Sequence, residues 1–207
     1  MIRGNFKIVD SYNQIYDNIN SAIQKEIKSN LNKSITKIRA DIINLTIKAL
    51  EDCPEIISLK SGKLKIDFGL NYDPTLEIIY AIANSVDVKI KNTNIGKSGL
   101  QSLLTIYIQR SDFKNLLSLE VANVITEKGV QLPWLEWLLL VGDAVLISEY
   151  GVKYGAFEAS RSGGGIMIPV GVFQVDSAFS GTADNNFITR ALSGYTDMIS
   201  QILEKNI

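Results

Sequence analysis

One apolar stripe with helical period most constrains how this chain of 207 residues can fold. From Asp10 to Leu50, apolar side chains recur at steps of three or four residues, which is the period of one face of an α-helix. The stripe comprises Tyr12, Ile15, Ile19, Ile23, Ile27, Leu31, Ile35, Ile38, Ile42, Leu45 and Ala49. The sequence therefore predicts a long helix or arm over residues 10–52, capped at its start by Asp10 or Ser11.

The length of this helix leaves two possibilities. Forty helical residues would extend ~60 Å, whereas a compact domain of this size has a diameter of roughly 40–45 Å. Either the helix breaks near Asn30–Ser34, where helix propensity is weak, or the stripe also packs on a neighbouring subunit. In the second case, we expect Ile27 and Leu31 to lie at the interface.

The rest of the chain alternates short strand and helix patterns. Cys53-Pro54 ends the long helix because proline disfavours helical backbone in the preceding residue. Strands are predicted at Ser61–Leu70, Val86–Lys91, Leu103–Arg110, Ser118–Glu127 and Asp143–Tyr150, with a hairpin loop at Asn92–Gly99 and a turn at Lys128-Gly129. Helices are predicted at Pro74–Ser85, at Pro133–Leu140 and from Phe187 to the C-terminus.

This order of elements predicts the fold class. We expect one α+β domain over residues 1–207, in which the long N-terminal amphipathic helix and the C-terminal helix pack on one face of a mainly antiparallel sheet. Residues 151–186 are predicted to be an extended loop region. It includes a polar loop at Gly151–Gly165 and short extended pieces at Ile166–Pro169 and Val172–Val175.

Composition argues against several function classes. The chain has no histidine, one cysteine and a formal net charge of −1. It therefore lacks the commonest general base and transition-metal ligand, cannot form an intrachain disulfide and has no overall charge for binding nucleic acid backbone. We expect no enzyme activity, no catalytic residues, no cofactor and no metal.

The sequence pattern predicts neither a signal segment nor a membrane-spanning segment. The N-terminal residues MIRGNFKIVD contain no apolar signal core. The apolar stretch Pro133–Ile147 is interrupted by Glu136 and Asp143 and is shorter than the ~20 residues that a membrane span needs. We expect a soluble protein, assembled in a cytoplasm, with no membrane partner.

The glycine-rich stretch SRSGGGIMIP, Ser160–Pro169, resembles a phosphate loop only in composition. Phosphate loops place a helix after the glycines, whereas Ile166–Pro169 is predicted to be extended. Gly96-Lys97-Ser98 matches the end of a P-loop, but Lys91 stands where the motif's first glycine should be. Ser162 lacks the spacing of a nucleophile elbow, and no histidine can activate it.

The remaining polar clusters have structural interpretations. Asp184, Asn185 and Asn186 could ligate calcium, but their position favours the start of the last helix. Glu136 and Asp143 are interpreted as salt-bridged or rim residues rather than as a hydrolase pair. A basic group on the long helix is interpreted as a solvated face rather than a DNA contact; it comprises Lys25, Lys28, Lys33, Lys37 and Arg39.

The glycine stretch is instead predicted to order against a partner. Long structureless segments are usually functional or ordered by binding. We expect Ser160–Gly165 to be mobile in an isolated subunit, Ile166–Ile168 to add a strand to a neighbour, and Arg161 to anchor that contact on a carboxylate. Close backbone approach at Gly163, Gly164 and Gly165 would make Gly164→Val impair joining more than folding.

The arrangement resembles a known family. A long amphipathic helix that runs into a proline, followed by Ser61-Gly62-Lys63-Leu64, is similar to the neck or tail-completion proteins of tailed bacteriophages, in which a Thr/Ser-Gly-Arg/Lys-Leu motif opens the first strand. Phe187 and Arg190, which open the closing helix, fit the same order of elements. The segments EKGVQLPWLEWLLLVGD, SRSGGGIM and FSGTADNNFITRAL also resemble virion structural proteins of contractile-tailed phages. The chain differs from small family members by extra residues around Leu100–Tyr150.

The resemblance implies a structural role in a virion. It implies a homo-oligomeric ring, which we expect to hold six or twelve copies, between portal or adaptor proteins and tail proteins, with transient passage of DNA and no catalysis. The alternatives are a tail terminator or baseplate component and, from another class, a small enzyme built on carboxylates.

Overall fold

Helix α1 (Tyr12–Glu51) runs without a break for 40 residues. The computed structural model describes residues 9–96, 99–110, 112–126 and 128–206, without the side chains of 91–103. Ser11 and Gln14 form a capping box at the start of α1, as the sequence predicts for Ser11. Of the two alternatives for this helix, the break near Asn30–Ser34 is absent, so α1 extends ~60 Å, longer than a compact domain of this size is wide.

Helix α1 ends where the sequence predicts. Pro54 holds Cys53 in extended backbone, with φ −79° and ψ 141°, and then occupies the first turn of helix α2 (Pro54–Ser61). Helix α3 (Lys63–Asp67) follows after Gly62 and ends near Gly69, whose φ of +63° favours glycine.

The strand predicted at Ser61–Leu70 is therefore wrong. Its alternating apolar pattern also places Leu64 and Phe68 four residues apart, which is helical spacing, and both are buried. The Ser58 hydroxyl accepts a hydrogen bond from the Leu64 amide at 2.9 Å and so fixes the first turn of α3. Ser61-Gly62-Lys63-Leu64 spans the α2–α3 junction and does not open a strand.

The next elements agree more closely with the predictions. Helix α4 (Thr75–Asn84) follows Pro74, and the Asp73 carboxylate accepts hydrogen bonds from both the amide and the hydroxyl of Thr75. Strands β1 (Asp87–Gly96) and β2 (Gly99–Tyr107) form the predicted antiparallel hairpin, but most of the loop predicted at Asn92–Gly99 belongs to the strands. Residues 97–98 at its tip, which include most of the Gly96-Lys97-Ser98 match, lie outside the described residues.

The segment after the hairpin contains less strand than predicted. Helix α5 (Lys114–Leu117) and a 3-10 turn at Glu120–Ala122 precede β3 (Val124–Ile125), which is the extended part of the predicted Ser118–Glu127 strand. β3 pairs with β4 (Gln131–Leu132) across the predicted turn, where Gly129 has a φ of +77°.

The C-terminal half contains the remaining elements. The predicted Trp-bearing helix and the strand after it are present as α6 and β5. The elements are α6 (Trp134–Leu140), β5 (Val145–Ser148), β6 (Gly151–Tyr154), β7 (Gly165–Ile168), β8 (Val172–Gln174), α7 (Phe187–Ser193) and α8 (Thr196–Asn206).

The polar loop predicted at Gly151–Gly165 is a hairpin. Strands β6 and β7 pair antiparallel, with Gly151 opposite Ile168 and Tyr154 opposite Gly165. The four residues of β6, Gly-Val-Lys-Tyr, are too few to show a period, so the sequence does not predict the strand without its partner. Residues 151–186 thus hold three short strands rather than loop alone.

The α+β fold class is confirmed. Every described strand pair is antiparallel, although the strands form four two-stranded sheets rather than one. Helices α1 and α8 pack together against the β1–β2 hairpin, where Ile38 and Ile42 of α1 meet Val88 and Ile202. A larger core surrounds α6, in which Trp134 is fully buried and donates from its indole Nε1 to the Val121 carbonyl at 2.8 Å.

Candidate functional site

The N-terminal half of α1 exposes its apolar stripe. Tyr12 is 81% exposed, Tyr16 51%, Ile19 53% and Ile23 44%. Leu31 is the first buried residue along α1. The helix therefore leaves its own core over its first five turns and carries large apolar side chains into solvent.

The exposed part of the stripe faces a different direction from the buried part. Successive helical residues are rotated by about 100°, so Ile38, Ile42 and Ala49 point in nearly one direction. The residues from Tyr12 to Ile23 are centred about 120° away from that direction. The helix thus presents two apolar faces in succession, one to its own core and one away from it.

Of the predicted interface residues on α1, Ile27 lies between these faces and Leu31 begins the buried one. Ile27 is half-buried and Leu31 is buried within its own subunit. Leu31 is therefore a residue of the fold, which corrects its assignment to an interface. The exposed apolar surface lies on the N-terminal side of both residues.

The glycine stretch forms the end of the β6–β7 hairpin. The Gly155 amide donates to the Gly164 carbonyl at 2.8 Å, and the Ser160 hydroxyl donates to the Gly165 carbonyl at 2.6 Å. Arg161 donates from Nη1 to the Ile125 carbonyl at 3.0 Å, so in this structure its anchor is in its own chain. The carboxylate partner predicted for Arg161 belongs to a neighbouring subunit and stays a prediction.

Close approach explains two of the three glycines. A Cβ atom on Gly164 would lie 2.6 Å from Cδ1 of Ile66, and one on Gly165 would lie 2.8 Å from Cγ2 of the same side chain. Gly163 has a φ of +79°, which favours glycine. The close contact in this structure is with the Ile66 side chain of α3 in the same chain, and the contact predicted with a neighbouring subunit stays a prediction.

The strand after the glycines already has one partner. Ile166 pairs with Lys153 and Ile168 with Gly151, so β6 occupies one edge of β7. Ile166 and Ile168 are both half-buried. Strand addition by a second chain would have to use the opposite edge of β7.

Substitution of Gly164 by alanine is expected to destabilise the fold by about 1 kcal/mol, at the low end for overpacking, because Ile66 is half-buried and its terminal methyl group can move. The cause is the Cβ contact with Ile66, which would be relieved by the double substitution with Ile66→Ala. Gly194→Ala is the matched control, because a Cβ atom there meets nothing within 4 Å. Urea denaturation measures all three; equal stability of Gly164→Ala and the wild type would contradict the contact.

A polar cleft of about 370 Å³ lies beside this hairpin, lined in part by α3, β6 and β8. The Tyr154 hydroxyl donates to Asp67 Oδ1 at 2.5 Å, and Lys63 forms an ion pair with Asp176. The four residues join α3 to β6 and to the segment after β8. No local pattern predicts the Asp67–Tyr154 contact, because the two residues lie 87 positions apart.

Three of the four polar groups in the cleft are held in their ordinary protonation states. The hydrogen bond and the charge of Asp176 raise the pKa of Lys63, and its hydrogen bond with Lys63 lowers the pKa of Asp176. Burial and Asp67 raise the pKa of Tyr154. Lys63 therefore stays cationic, Asp176 ionised and Tyr154 neutral near pH 7, whereas burial raises the pKa of the fourth group, Asp67.

Asp67 is expected to make stability depend on pH. Burial raises the pKa of Asp67 above its ordinary value of 3.8, more than the Tyr154 hydrogen bond and Lys63 lower it. The folded state then holds that proton more tightly than the unfolded state. This contribution to stability is fully present below pH 3.8 and is lost as pH rises through the folded pKa.

Asp67→Asn should accordingly be more stable than the wild type at neutral pH, with the difference shrinking as pH falls towards 4. Asparagine keeps the oxygen that accepts from Tyr154 and removes the buried charge. Asp176→Asn is the opposite control. The pKa of Asp176 is lowered, so removing its carboxylate should destabilise the protein at neutral pH. Urea denaturation between pH 4 and pH 8 tests both, and a less stable Asp67→Asn protein at pH 7 would refute the argument.

A second polar cluster holds the segment before α7 in place. Glu55 is 3% exposed, and its Oε1 accepts from Arg190 Nε at 3.0 Å and from Nη2 at 2.5 Å. Arg190 also donates to the carbonyls of Phe179 and Ser180 at 2.9 and 3.1 Å. Asn186 caps α7 by accepting from the Ile188 and Thr189 amides, as predicted for the start of this helix.

The described residues contain neither a cysteine poised as a thiolate nucleophile nor a cluster of metal-ligating side chains. Burial raises the pKa of the Cys53 thiol to about 11, so little thiolate is present at neutral pH. Across residues 9–96, 99–110, 112–126 and 128–206, no group of three or more Cys, Asp or Glu side chains could hold a metal ion.

Membrane insertion through a helix is likewise unsupported in that part of the chain. None of its helices combines the length and the apolar character that crossing a bilayer requires.

Comparison with family models, curated proteins and solved structures finds no match for this chain.

Proposed function

We propose that this chain is a structural protein of a phage virion that forms a ring in the neck and joins the head or portal to the tail. The observation that carries the proposal is the N-terminal half of α1, which extends an apolar stripe beyond its own core. Exposed apolar patches of this kind are typical of protein–protein contacts. This surface suits assembly with other subunits. The alternative of a small enzyme built on carboxylates has no comparable supporting feature.

The order of elements supplies the neck assignment, as a resemblance. The long helix that ends at a proline and the closing helix that begins with Phe187 and carries Arg190 support it. The Ser61–Leu64 motif does not, because it spans two helices rather than opening a strand. The proposal therefore depends on the helix more than on the short motif.

The charge of the chain suits passage of DNA. A formal net charge of −1 gives little attraction for the phosphate backbone, so DNA would move through such a ring without being held. The lysines at positions 25, 28, 33 and 37 are exposed on α1 and match the solvated face that the sequence predicts. Arg39 donates to the Val86 carbonyl at 2.8 Å, which is a structural contact.

The proposed partners follow from this role. They are further copies in a ring of six or twelve, the adjoining portal or adaptor proteins and the tail proteins, with DNA passing transiently. Assembly would take place in the host cytoplasm and the product would reside in the virion. Neither a cofactor nor a catalytic site forms part of the proposal.

Native mass spectrometry and negative-stain imaging of the purified protein test the ring. A closed assembly of six or twelve copies with a central channel is expected, whereas a monomer would refute the proposal. Gold labelling of assembled particles then distinguishes the neck from the two alternatives. Label at the head–tail junction supports the proposal, while label along or at the far end of the tail would identify a tail terminator or baseplate component.

A further inference from the structure

The exposed face of α1 carries a regular pattern over two heptads. If Tyr12 is assigned to position a, every a, d and e position between residues 12 and 25 is apolar and every other position is polar. The apolar set is Tyr12, Ile15, Tyr16, Ile19, Ala22 and Ile23. Three apolar positions per heptad are typical of a helix packed in a bundle, whereas two per heptad are typical of a two-stranded coiled coil.

The polar positions of this segment are nearly uncharged. Among its eight polar residues only Asp17 and Lys25 carry charge, and these cancel. Identical segments can therefore approach one another without like-charge repulsion. The segment also offers no net charge that would select a strongly acidic or basic partner, so charge favours a second copy over such partners.

The area of the patch indicates how many neighbours it needs. The exposed apolar surface of residues 12–23 is on the order of 500 Å², judged from the size of its aromatic and aliphatic side chains. A stable two-partner interface buries about 800 Å² on each side. Two copies would bury about 1,000 Å² in total, below the roughly 1,600 Å² of a stable interface, whereas each further copy in a bundle adds about 500 Å² to the total.

We propose that residues 12–25 of α1 pack against the same segment of two neighbouring copies in a parallel helical bundle. The inference rests on the self-association that the proposed function requires, and it names the partner and the residues. The segments run parallel because copies related by rotation about one axis point in the same sense along it. The 120° turn between the two apolar faces lets the second half of α1 keep its own core while the first half faces the bundle.

Single cysteines on opposite faces of the segment test this inference in the full-length protein. Ala22→Cys lies on the apolar face, and Ser21→Cys, at the neighbouring exposed residue, lies on the polar face about 160° away from the centre of the apolar face. Native Cys53 contributes little background, because it is buried and its thiol has a pKa of about 11. Both variants are treated with diamide or with a short bis-maleimide and read on non-reducing gels, after circular dichroism has shown that they are folded.

We expect Ala22→Cys to form covalent dimers at least about tenfold faster than Ser21→Cys, since packed segments hold each other at millimolar effective concentration. Equal rates would overturn the inference. If rings form but the two rates are equal, this inference fails and the proposed ring stands. If Ala22→Cys links preferentially in a small closed bundle without a ring, the inference holds and the neck proposal fails.

Discussion

Replacing Arg190 with methionine is expected to lower the free energy of unfolding by about 3–5 kcal/mol, as breaking a buried ion pair does. The change leaves the Glu55 carboxylate, 3% exposed, without its cationic partner. It also removes the donors to the Phe179 and Ser180 carbonyls, which hold the segment between β8 and α7 in place. Methionine preserves much of the apolar volume of the side chain, so the loss reports charge and hydrogen bonding.

Two comparisons isolate the buried pair. Glu55→Gln combined with Arg190→Met removes both charges and should recover part of the loss. Lys89→Met breaks the exposed pair with Asp87 and should cost less than about 1 kcal/mol, as surface pairs do. Urea denaturation of the four proteins gives the values, and a loss below about 1 kcal/mol for Arg190→Met would contradict the assigned role.

Elements set by local signals could be predicted from the sequence. Ser11 and Gln14 cap α1, Pro54 ends it, Asp73 precedes α4 and Asn186 caps α7, and each acts on backbone within three residues. The alternation of Asp87–Lys91 likewise predicts β1. Such signals suffice for the α+β class.

Elements set by distant partners could not be predicted in this way. The short apolar run at Leu64–Leu70 fits both a strand and a helix, and the Ser58 hydroxyl and the core decide it. Strand β6 forms because β7 lies beside it. The Glu55–Arg190 pair joins residues 135 positions apart, and no spacing in the sequence reports that contact.

The turn in the stripe of α1 follows from the spacing of the stripe residues. From Ile15 to Ile35 these residues recur every four positions, through Ile19, Ile23, Ile27 and Leu31. Each step of four advances the stripe by about 40° around the helix, so five steps carry it roughly 200°. Steps of three and four in alternation would keep a single face. An interface predicted at Ile27 and Leu31 treats the stripe as one face, whereas the exposed residues lie before both.

The two faces predict opposite outcomes for the same chemical change. Ile38→Asp places a charge where the side chain is 0% exposed, and we expect it to cost more than about 4–5 kcal/mol and leave little folded protein. Ile19→Asp, at a residue that is 53% exposed, should change the free energy of unfolding by less than about 0.5 kcal/mol and abolish self-association.

Thermal circular dichroism and light scattering coupled to size exclusion separate the two effects. Ile38→Val serves as the conservative control in the core and should cost only about 0.5–1.5 kcal/mol. If Ile19→Asp unfolds the chain as Ile38→Asp does, the first half of α1 packs on its own domain. If Ile19→Asp assembles normally, its apolar face lies outside any contact between copies. The proposal requires that Ile19→Asp be a folded monomer under conditions in which the wild type assembles. That result would show that the second half of α1 packs on its own core and the first half on neighbouring copies.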